Sequence, residues 1–201
     1  MLDLDETLIH SHEQKTNFAS RADKLQYYSE LVHKFTAVNG RNPTEQELEA
    51  LPCQLFFDVR PFAMEFLTSL AADFEIIVFT AAEQNYADEI LNRLLEQIEL
   101  GGRSSIISHR LYRQHTVQIK QSANGPTRRF IKDLSVLEGR DLAKTIIVDN
   151  IGENFCRQPR NGIEIATWTG NDLMGDNNDM TAASSFDVEL RYLQRLLLNM
   201  V

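Results

Sequence analysis

Short apolar runs that end in polar residues are the feature that most constrains the fold of this chain. The run from Phe74 to Phe79 is almost entirely apolar and is followed by Thr80, and the run from Thr145 to Val148 is followed by Asp149 and Asn150. Such runs are typical of strands that are covered on both faces, as in a parallel sheet. Helical patterns lie between them, which predicts an α/β fold: a Rossmann-like parallel sheet with helices on both faces.

Two acidic residues alternate with leucines at the start of the chain, where Leu2 and Leu4 alternate with Asp3 and Asp5. Side chains in an extended strand repeat every second residue, so both carboxylates are expected to project from one face. Neighbouring carboxylates repel each other unless a cation lies between them or one of them holds a proton. An acidic surface turn would explain the pair alone, but the full stretch Leu-Asp-Leu-Asp-Glu-Thr-Leu is more specific and favours a reactive site.

The length of 201 residues predicts a single domain, residues 1–201, with a helical insertion at about 13–52. Within the insertion, apolar residues recur at three- and four-residue steps from Ser20 to Gly40, and Gly40 is placed to end that helix. A capping box then predicts a second, short helix that ends near Leu51.

Charge is distributed unevenly along the chain. The net charge is −9, from 20 Lys and Arg against 29 Asp and Glu, which argues against a general nucleic-acid-binding protein. Between Arg103 and Lys144, however, nine basic residues stand against three acidic ones. This basic segment suits a phosphorylated or acidic ligand better than a membrane. It contains the turn residues Ser122 to Pro126, which predict a hairpin ahead of Lys132.

The cysteines and the hydropathy of the sequence indicate the cellular compartment of the protein. The two cysteines, Cys53 and Cys156, form neither a disulfide framework nor a metal-ligand pattern, so a reducing, intracellular compartment is predicted. No apolar run approaches the roughly 18 residues that span a bilayer, and no signal peptide is recognisable. We therefore expect no membrane partner for the sequence as given.

Polar residues at three strand ends predict one common crevice. In parallel α/β sheets, ligands bind beyond the carboxyl ends of the strands. Asp3 is predicted to be a nucleophile that takes a phosphoryl group, and also a metal ligand, with Asp5, Asp149 and Asn150 as further metal ligands. Oxygen donors without His or Cys select a hard cation, so we expect Mg2+ as the cofactor.

Two further roles complete the predicted catalytic set. Asp5 is expected to protonate the leaving alkoxide and later to deprotonate the water that clears the intermediate, a role worth about a hundredfold or more in rate. Thr80 and Lys132 are expected to hold the equatorial phosphate oxygens, where negative charge gathers in the transition state.

Four motifs along the chain resemble those of the small C-terminal-domain phosphatases of the haloacid dehalogenase superfamily (the FCP/SCP-like family). The first is Leu-Asp-Leu-Asp-Glu-Thr-Leu from Leu2. The second is Val-Phe-Thr-Ala around Thr80, with Tyr86-Ala-Asp after it. The third is Ile-Lys-Asp-Leu-Ser around Lys132, and the fourth is Ile-Val-Asp-Asn ending at Asn150. The resemblance extends over nearly the whole chain, with the motifs in the family's order.

The resemblance implies a Mg2+-dependent phosphoserine and phosphothreonine protein phosphatase that works through an aspartyl-phosphate intermediate. Its partner would be a phosphorylated protein or peptide, with the RNA polymerase II tail as the typical substrate of the family. It also implies a location in the nucleus or cytoplasm, with the nucleus favoured, and substrate-binding roles for Arg113 and Tyr86.

The chain departs from the family pattern in three places. Family members carry several apolar residues ahead of the first aspartate, whereas only Met1 and Leu2 precede Asp3, so we expect the sequence to be truncated at its start. The 13–52 segment is predicted to be helical where the family usually has a short strand ribbon. The hairpin ahead of Lys132 is longer than usual. The last two segments lie where peptide specificity would be set.

Two alternative functions remain open from the sequence. A non-catalytic peptide-binding relative of the import-receptor type would bind peptides without Mg2+. A small-molecule phosphatase of the same superfamily would usually carry a large cap domain, and a helical pair of about 40 residues is short for an independent domain.

Overall fold

The structure of the chain is a computed structural model, and it describes residues 1–11, 29–44, 46–47, 57–99, 106–120, 128–170 and 187–200. The chain divides into two compact units, one formed by Met1–His10 with Phe57–Val201 and the other by Ser11–Phe56. The single domain, residues 1–201, with an insertion at about 13–52 stays a prediction.

The described elements alternate along the chain. The strands are β1 (Ile9–Ser11), β2 (Phe57–Val59), β3 (Ile76–Phe79), β4 (Ile107–Leu111), β5 (Val117–Lys120), β6 (Arg128–Ile131), β7 (Ile147–Asp149) and β8 (Gly162–Glu164). The α-helices are α1 (Ser29–Asn39), α2 (Ala63–Leu70), α3 (Gln84–Glu99) and α4 (Glu189–Leu198). Short 3-10 turns, such as Leu134–Val136 and Gly152–Phe155, connect several of them.

Leu2 lies at the centre of a parallel arrangement, between β3 and β7. Its backbone N–H donates to Ile77 O at 2.8 Å and its carbonyl accepts from Phe79 N–H at 2.8 Å, while Asp3 N–H donates to Val148 O at 2.9 Å. β4 pairs with β3 and β8 pairs with β7, both in parallel. The order is therefore β4, β3, Leu2, β7, β8, which confirms the predicted α/β fold.

The two inner strands carry the predicted apolar runs. All four residues of β3 and all three of β7 are buried. β4 was not predicted, because its sequence Ile-Ser-His-Arg-Leu lacks an apolar run. Ser108 and His109 are exposed there. Among the described residues β4 pairs with β3 alone, which leaves part of its surface to solvent, so polar residues are tolerated.

A hairpin precedes Lys132, as predicted. β5 and β6 pair antiparallel, with Val117 opposite Ile131 and Lys120 opposite Arg128. The predicted turn residues at its tip, 122–126, lie outside the described residues. The chain leaves β6 directly into Lys132, so the hairpin sets the position of that lysine.

Helices bury their apolar stripes in the larger unit. α3 buries Ala87, Ile90, Leu91 and Leu94, and α2 packs against α4. The buried residues of α4 are Leu190, Leu193 and Leu197. These spacings of three and four residues are those of an amphipathic helix.

The smaller unit shows both predicted helix signals. Gly40 ends α1 with a φ of 70°, a left-handed conformation that favours glycine, and its N–H donates to Thr36 O at 2.8 Å. Thr44 N–H donates to Glu47 Oε2 at 2.8 Å, and Glu47 N–H donates to Thr44 Oγ1 at 3.3 Å, a reciprocal capping box. The rest of the predicted helical pair lies outside the described residues. Across the parts of the chain that the structure describes, no helix is long and apolar enough to cross a membrane.

Candidate active site

The Lys132 ammonium lies between two buried carboxylates. Its Nζ is 2.5 Å from Asp3 Oδ1 and 2.6 Å from Asp149 Oδ2. Lys132 and Asp149 are 0% exposed and Asp3 is 6% exposed. One lysine therefore faces two carboxylates in a region where solvent does not screen their charge.

Three separate segments bring these groups together at the carboxyl ends of the central strands. Asp3 follows Leu2 in the middle of the sheet, Asp149 is the last residue of β7, and Lys132 follows β6. The Lys132 backbone N–H donates to Asn154 O at 2.7 Å, which ties the end of the hairpin to the turn after β7.

Asn154 also holds the Asp149 carboxylate. Its Nδ2 donates to Asp149 Oδ1 at 3.0 Å and to Oδ2 at 3.2 Å, and Ile151 N–H donates to Oδ1 at 2.9 Å. Asp149 thus has a fixed orientation, with Oδ2 turned to Lys132. Sequence reasoning missed Asn154, because a single asparagine five residues after a motif aspartate carries no recognisable signal.

Asp5 lies at the start of a tight turn. Glu6 has a φ of 60°, and the N–H groups of Thr7 and Leu8 both donate to Leu4 O, at 3.4 and 2.9 Å. The Asp5 carboxylate accepts a hydrogen bond from the Tyr86 hydroxyl at 2.5 Å and a long one from Thr80 Oγ1 at 3.5 Å. The second aspartate therefore contacts a helix and a strand end that were predicted to share its site.

Thr80 connects the site to the neighbouring strand. Its backbone N–H donates to Leu111 O at 2.9 Å, and its Oγ1 accepts from Ala82 N–H at 3.0 Å while donating to Asp5. The side chain is 1% exposed. It therefore has a fixed position at the end of β3.

Burial dominates the electrostatics of the two aspartates. It raises the pKa of Asp3 to about 7, with the Lys132 charge lowering it and the Asp149 charge raising it. Burial also raises the pKa of Asp5, against the hydrogen bond from Tyr86 and the charge of Lys132. A carboxylate in contact with an ammonium and a second carboxyl group whose pKa is raised by burial suit nucleophilic and general acid catalysis.

Asp133 fixes the backbone next to Lys132. Its side chain accepts hydrogen bonds from Ser135 N–H at 3.0 Å and Gln158 Nε2 at 2.8 Å, and it pairs with Arg157. Gln158 Oε1 in turn accepts from Leu134 N–H at 3.1 Å. Arg157 and Gln158 were not predicted from the sequence, because they reach the lysine motif only through the fold.

Arg113 lies beside the Thr80 loop and does not contact either aspartate. Its Nε donates to Ala81 O at 2.7 Å, its Nη1 pairs with Glu83 Oε1 at 2.8 Å, and its guanidinium lies 5.1 Å from the Phe130 ring centroid. Arg113 thus links the loop after β3 to the hairpin before Lys132. The substrate-binding roles of Arg113 and Tyr86 stay predictions.

The donor set at this end of the sheet suits a hard cation. Asp3, Asp5 and Asp149 offer carboxylate oxygens, and Asn150, the residue after β7, has an amide oxygen. Its Nδ2 donates to Thr167 Oγ1 at 3.2 Å. When both are ionised, the two carboxylates that contact Lys132 carry one more charge than its ammonium, which a divalent cation would balance, and oxygen donors fit Mg2+. Among the described residues, no three His, Cys, Asp or Glu side chains converge as a metal cluster, so the amide oxygen, backbone or water would complete such a site.

A buried ion pair supports the turn that carries Asp5. Arg60 Nε is 2.5 Å from Asp187 Oδ2, and both side chains are less than 10% exposed. Arg60 Nη1 also donates to Thr7 O at 3.2 Å, and its backbone N–H donates to Leu8 O at 2.9 Å. Sequence reasoning missed this pair, whose members are 127 residues apart.

The chain is similar in sequence to known phosphatases. The family described as "NLI interacting factor-like phosphatase" matches residues 1–196. The "Probable C-terminal domain small phosphatase" of Dictyostelium discoideum is 34% identical over 171 residues, which cover 84% of this chain and 43% of that protein. The human "Carboxy-terminal domain RNA polymerase II polypeptide A small phosphatase 2" is 30% identical over 168 residues, 84% of this chain and 49% of that protein. This chain therefore spans about half the length of these curated relatives.

A solved structure shares the fold. Fcp1, described as an essential RNA polymerase II CTD phosphatase, matches with a TM-score of 0.59 at 17% identity, over 99% of this chain and 60% of Fcp1. At this identity the likeness shows the fold alone.

Proposed function

Because this chain belongs to the NLI interacting factor-like phosphatase family, we propose that it is a Mg2+-dependent protein phosphatase that acts on phosphoserine and phosphothreonine. The observation that carries the proposal is the buried contact of Lys132 with both Asp3 and Asp149, next to the Asp5, Thr80 and Tyr86 cluster. We propose that the whole chain, residues 1–201, works as one phosphatase domain.

Asp3 is the nucleophile in this proposal. Its ionised carboxylate attacks phosphorus, a phosphorus–oxygen bond to Asp3 forms, and the bond from phosphorus to the serine or threonine oxygen breaks. Contact with Lys132 favours the ionised form of Asp3, whereas burial opposes it. Lys132 and Thr80 would hold the equatorial oxygens of the transferring group, where negative charge gathers.

Asp5 moves the proton. In its protonated form it donates the proton to the leaving alkoxide, and the resulting carboxylate then takes a proton from the water that attacks the aspartyl phosphate. Its burial, which favours the protonated form, supports this role. The hydrogen bond from Tyr86 keeps its carboxyl group in one orientation.

Asp3, Asp149 and Asn150, with Asp5, are the residues that we propose to hold Mg2+. When bound, the cation supplies positive charge that keeps Asp3 ionised and reduces its repulsion of the incoming phosphate. The excess of carboxylates over lysine at this site supports the assignment.

The substrate is proposed to be a phosphorylated protein. The human relative is named for a tail of RNA polymerase II, and the basic segment between Arg103 and Lys144 suits a phosphorylated ligand. We therefore propose the RNA polymerase II tail as a candidate substrate and the nucleus as the place of action.

The test is a phosphopeptide array that contains phosphoserine and phosphothreonine, assayed for released phosphate with Mg2+ and with a chelator. Asp3→Asn serves as the blank, and sugar phosphates are assayed as small-molecule substrates for comparison. We expect Mg2+-dependent release from phosphopeptides at higher kcat/KM than from sugar phosphates, and none with Asp3→Asn. Failure to release phosphate from any peptide, while a related phosphatase does so in parallel, would refute the proposal. Faster turnover of sugar phosphates would instead identify a small-molecule phosphatase.

A further inference from the structure

A polar pocket lies beside the candidate active site, between the start of α3 and the hairpin. It is an open depression of the surface with a volume of about 360 Å³. The side chains that line it are all polar, and four of the six are carboxamides: Glu83, Gln84, Asn85, Arg113, Gln114 and Gln118.

The charged groups in this pocket neutralise each other. Arg113 Nη1 lies 2.8 Å from Glu83 Oε1, and the Glu83 side chain is 74% exposed. An anionic ligand would meet the Glu83 carboxylate as well as the arginine. The pocket therefore suits an uncharged ligand better than a second phosphate or an acidic side chain.

The carboxamides leave hydrogen-bonding groups for a ligand. Gln114 Nε2 donates to Gln84 Oε1 at 3.2 Å, which fixes the orientation of both amides and leaves Gln114 Oε1 as an acceptor. The side-chain amides of Asn85 and Gln118 also line the pocket, and both residues are exposed. Each of these two amides offers a donor and an acceptor, which are the groups that a peptide backbone or an uncharged polar side chain can pair with.

The pocket is continuous with the loop that carries Thr80. Arg113, in its wall, donates from its backbone N–H to Ala82 O at 2.9 Å and from Nε to Ala81 O at 2.7 Å. Its guanidinium also stacks on Phe130, two residues before Lys132. A peptide whose phosphate reached Thr80 and Lys132 would extend past this wall.

We propose that this pocket binds the chain that flanks the phosphorylated residue, through hydrogen bonds that Asn85, Gln114 and Gln118 form with backbone amides and uncharged polar side chains. The proposal rests on the proposed action on phosphoproteins, and it adds a preference for substrates with neutral polar residues next to the phosphosite.

Binding tests the subsite without requiring turnover. Fluorescently labelled phosphoserine peptides are titrated with Asp3→Asn protein and with the same protein carrying Gln114→Leu or Gln118→Leu. Three peptides are compared: one with Ser, Asn and Gln flanks, one with Asp flanks, and a minimal capped phosphoserine. Ile119→Gln is the matched control, because Ile119 is the next residue on β5, is 44% exposed and does not line the pocket.

We expect Gln118→Leu and Gln114→Leu each to weaken the peptide with neutral polar flanks by about three- to tenfold, the effect of one lost hydrogen bond. The minimal phosphoserine should lose less than twofold, and Ile119→Gln should change neither. Equal losses for the flanked and minimal peptides, no loss, or tighter binding of the acidic peptide would each overturn the subsite.

Hydrolysis of a small aryl phosphate by the unmodified chain tests the phosphatase proposal separately. Flank-dependent binding without such hydrolysis would support the subsite and refute the catalytic proposal.

Discussion

The Tyr86 hydroxyl donates a hydrogen bond to Asp5 Oδ1 over 2.5 Å. Tyr86 is in the first turn of α3, so this helix orients the carboxylate that we propose as the general acid. The hydrogen bond lowers the pKa of Asp5, while burial, the largest effect, raises it. Tyr86 is thus a positioning residue for Asp5, in addition to its predicted place at the substrate site.

Tyr86→Phe removes this hydrogen bond and keeps the ring. We expect kcat on a phosphopeptide to fall by about three- to tenfold, the effect of one lost hydrogen bond. Because the hydrogen bond lowers the pKa of Asp5, the limb of the pH–rate profile that reports Asp5 should move to higher pH. A limb that moved to lower pH or did not move would show that Tyr86 does not act on Asp5.

Asp5→Asn should slow formation of the phosphoenzyme by about a hundredfold or more on a phosphoserine peptide. The serine alkoxide is a poor leaving group without a proton, whereas a nitrophenolate leaves readily. In single-turnover measurements, Asp5→Asn should therefore slow the reaction of the peptide much more than that of an aryl phosphate. Equal losses on the two substrates would contradict the assignment of Asp5 as the acid.

Lys132→Met leaves the buried Asp3 and Asp149 carboxylates without their cation. Breaking a buried ion pair in this way typically costs about 3–5 kcal/mol of unfolding free energy. Denaturant unfolding in the absence of Mg2+ measures it, and the loss should shrink at lower pH, where Asp3 becomes protonated. Lys144→Met changes an exposed lysine and is the matched control, expected to alter stability by less than about 0.5 kcal/mol.

The sequence predicted those parts of the fold and site that local patterns determine. The runs that became β3 and β7 are apolar because both strands are buried, and the capping box of Thr44 and Glu47 is a signal of short range. The parallel sheet brings Asp3 and Thr80 to one edge, whereas Lys132 reaches Asp3 from the end of the antiparallel hairpin.

The parts that escaped prediction depend on contacts between distant segments. β4 has no apolar run, since it lies at the edge of the pairing order. Asn154 and Arg157 reach Asp149 and Asp133 only because 3-10 turns follow β6 and β7. No periodicity in a sequence reports such side-chain contacts.

Asp133 gives the fold a defined response to acid. Hydrogen bonds to its carboxylate hold the pKa of Asp133 well below its usual value near 4. The bond from Ser135 N–H has the largest effect, and the Gln158 and Arg157 side chains add to it. Folding therefore favours the ionised form of Asp133. Its contribution to the unfolding free energy is present above about pH 4 and is lost as the pH falls toward the lowered pKa. We expect Asp133→Asn to be less stable than the unmodified chain at neutral pH, with the difference shrinking below about pH 4. Denaturant unfolding at a series of pH values measures it, and a difference that grew on acidification would contradict this role.

The buried Arg60–Asp187 pair stabilises the turn that carries Asp5, because Arg60 also donates to Thr7 O. Arg60→Met should lower the unfolding free energy by about 3–5 kcal/mol, since it leaves Asp187 buried without its partner. Arg60→Met combined with Asp187→Leu removes both charges and should recover part of that loss. Arg160→Met, at an exposed arginine, is the control and should change stability by less than about 0.5 kcal/mol. If Asp187→Leu lowered the unfolding free energy as much in the Arg60→Met variant as in the unmodified chain, the two residues would not be coupled.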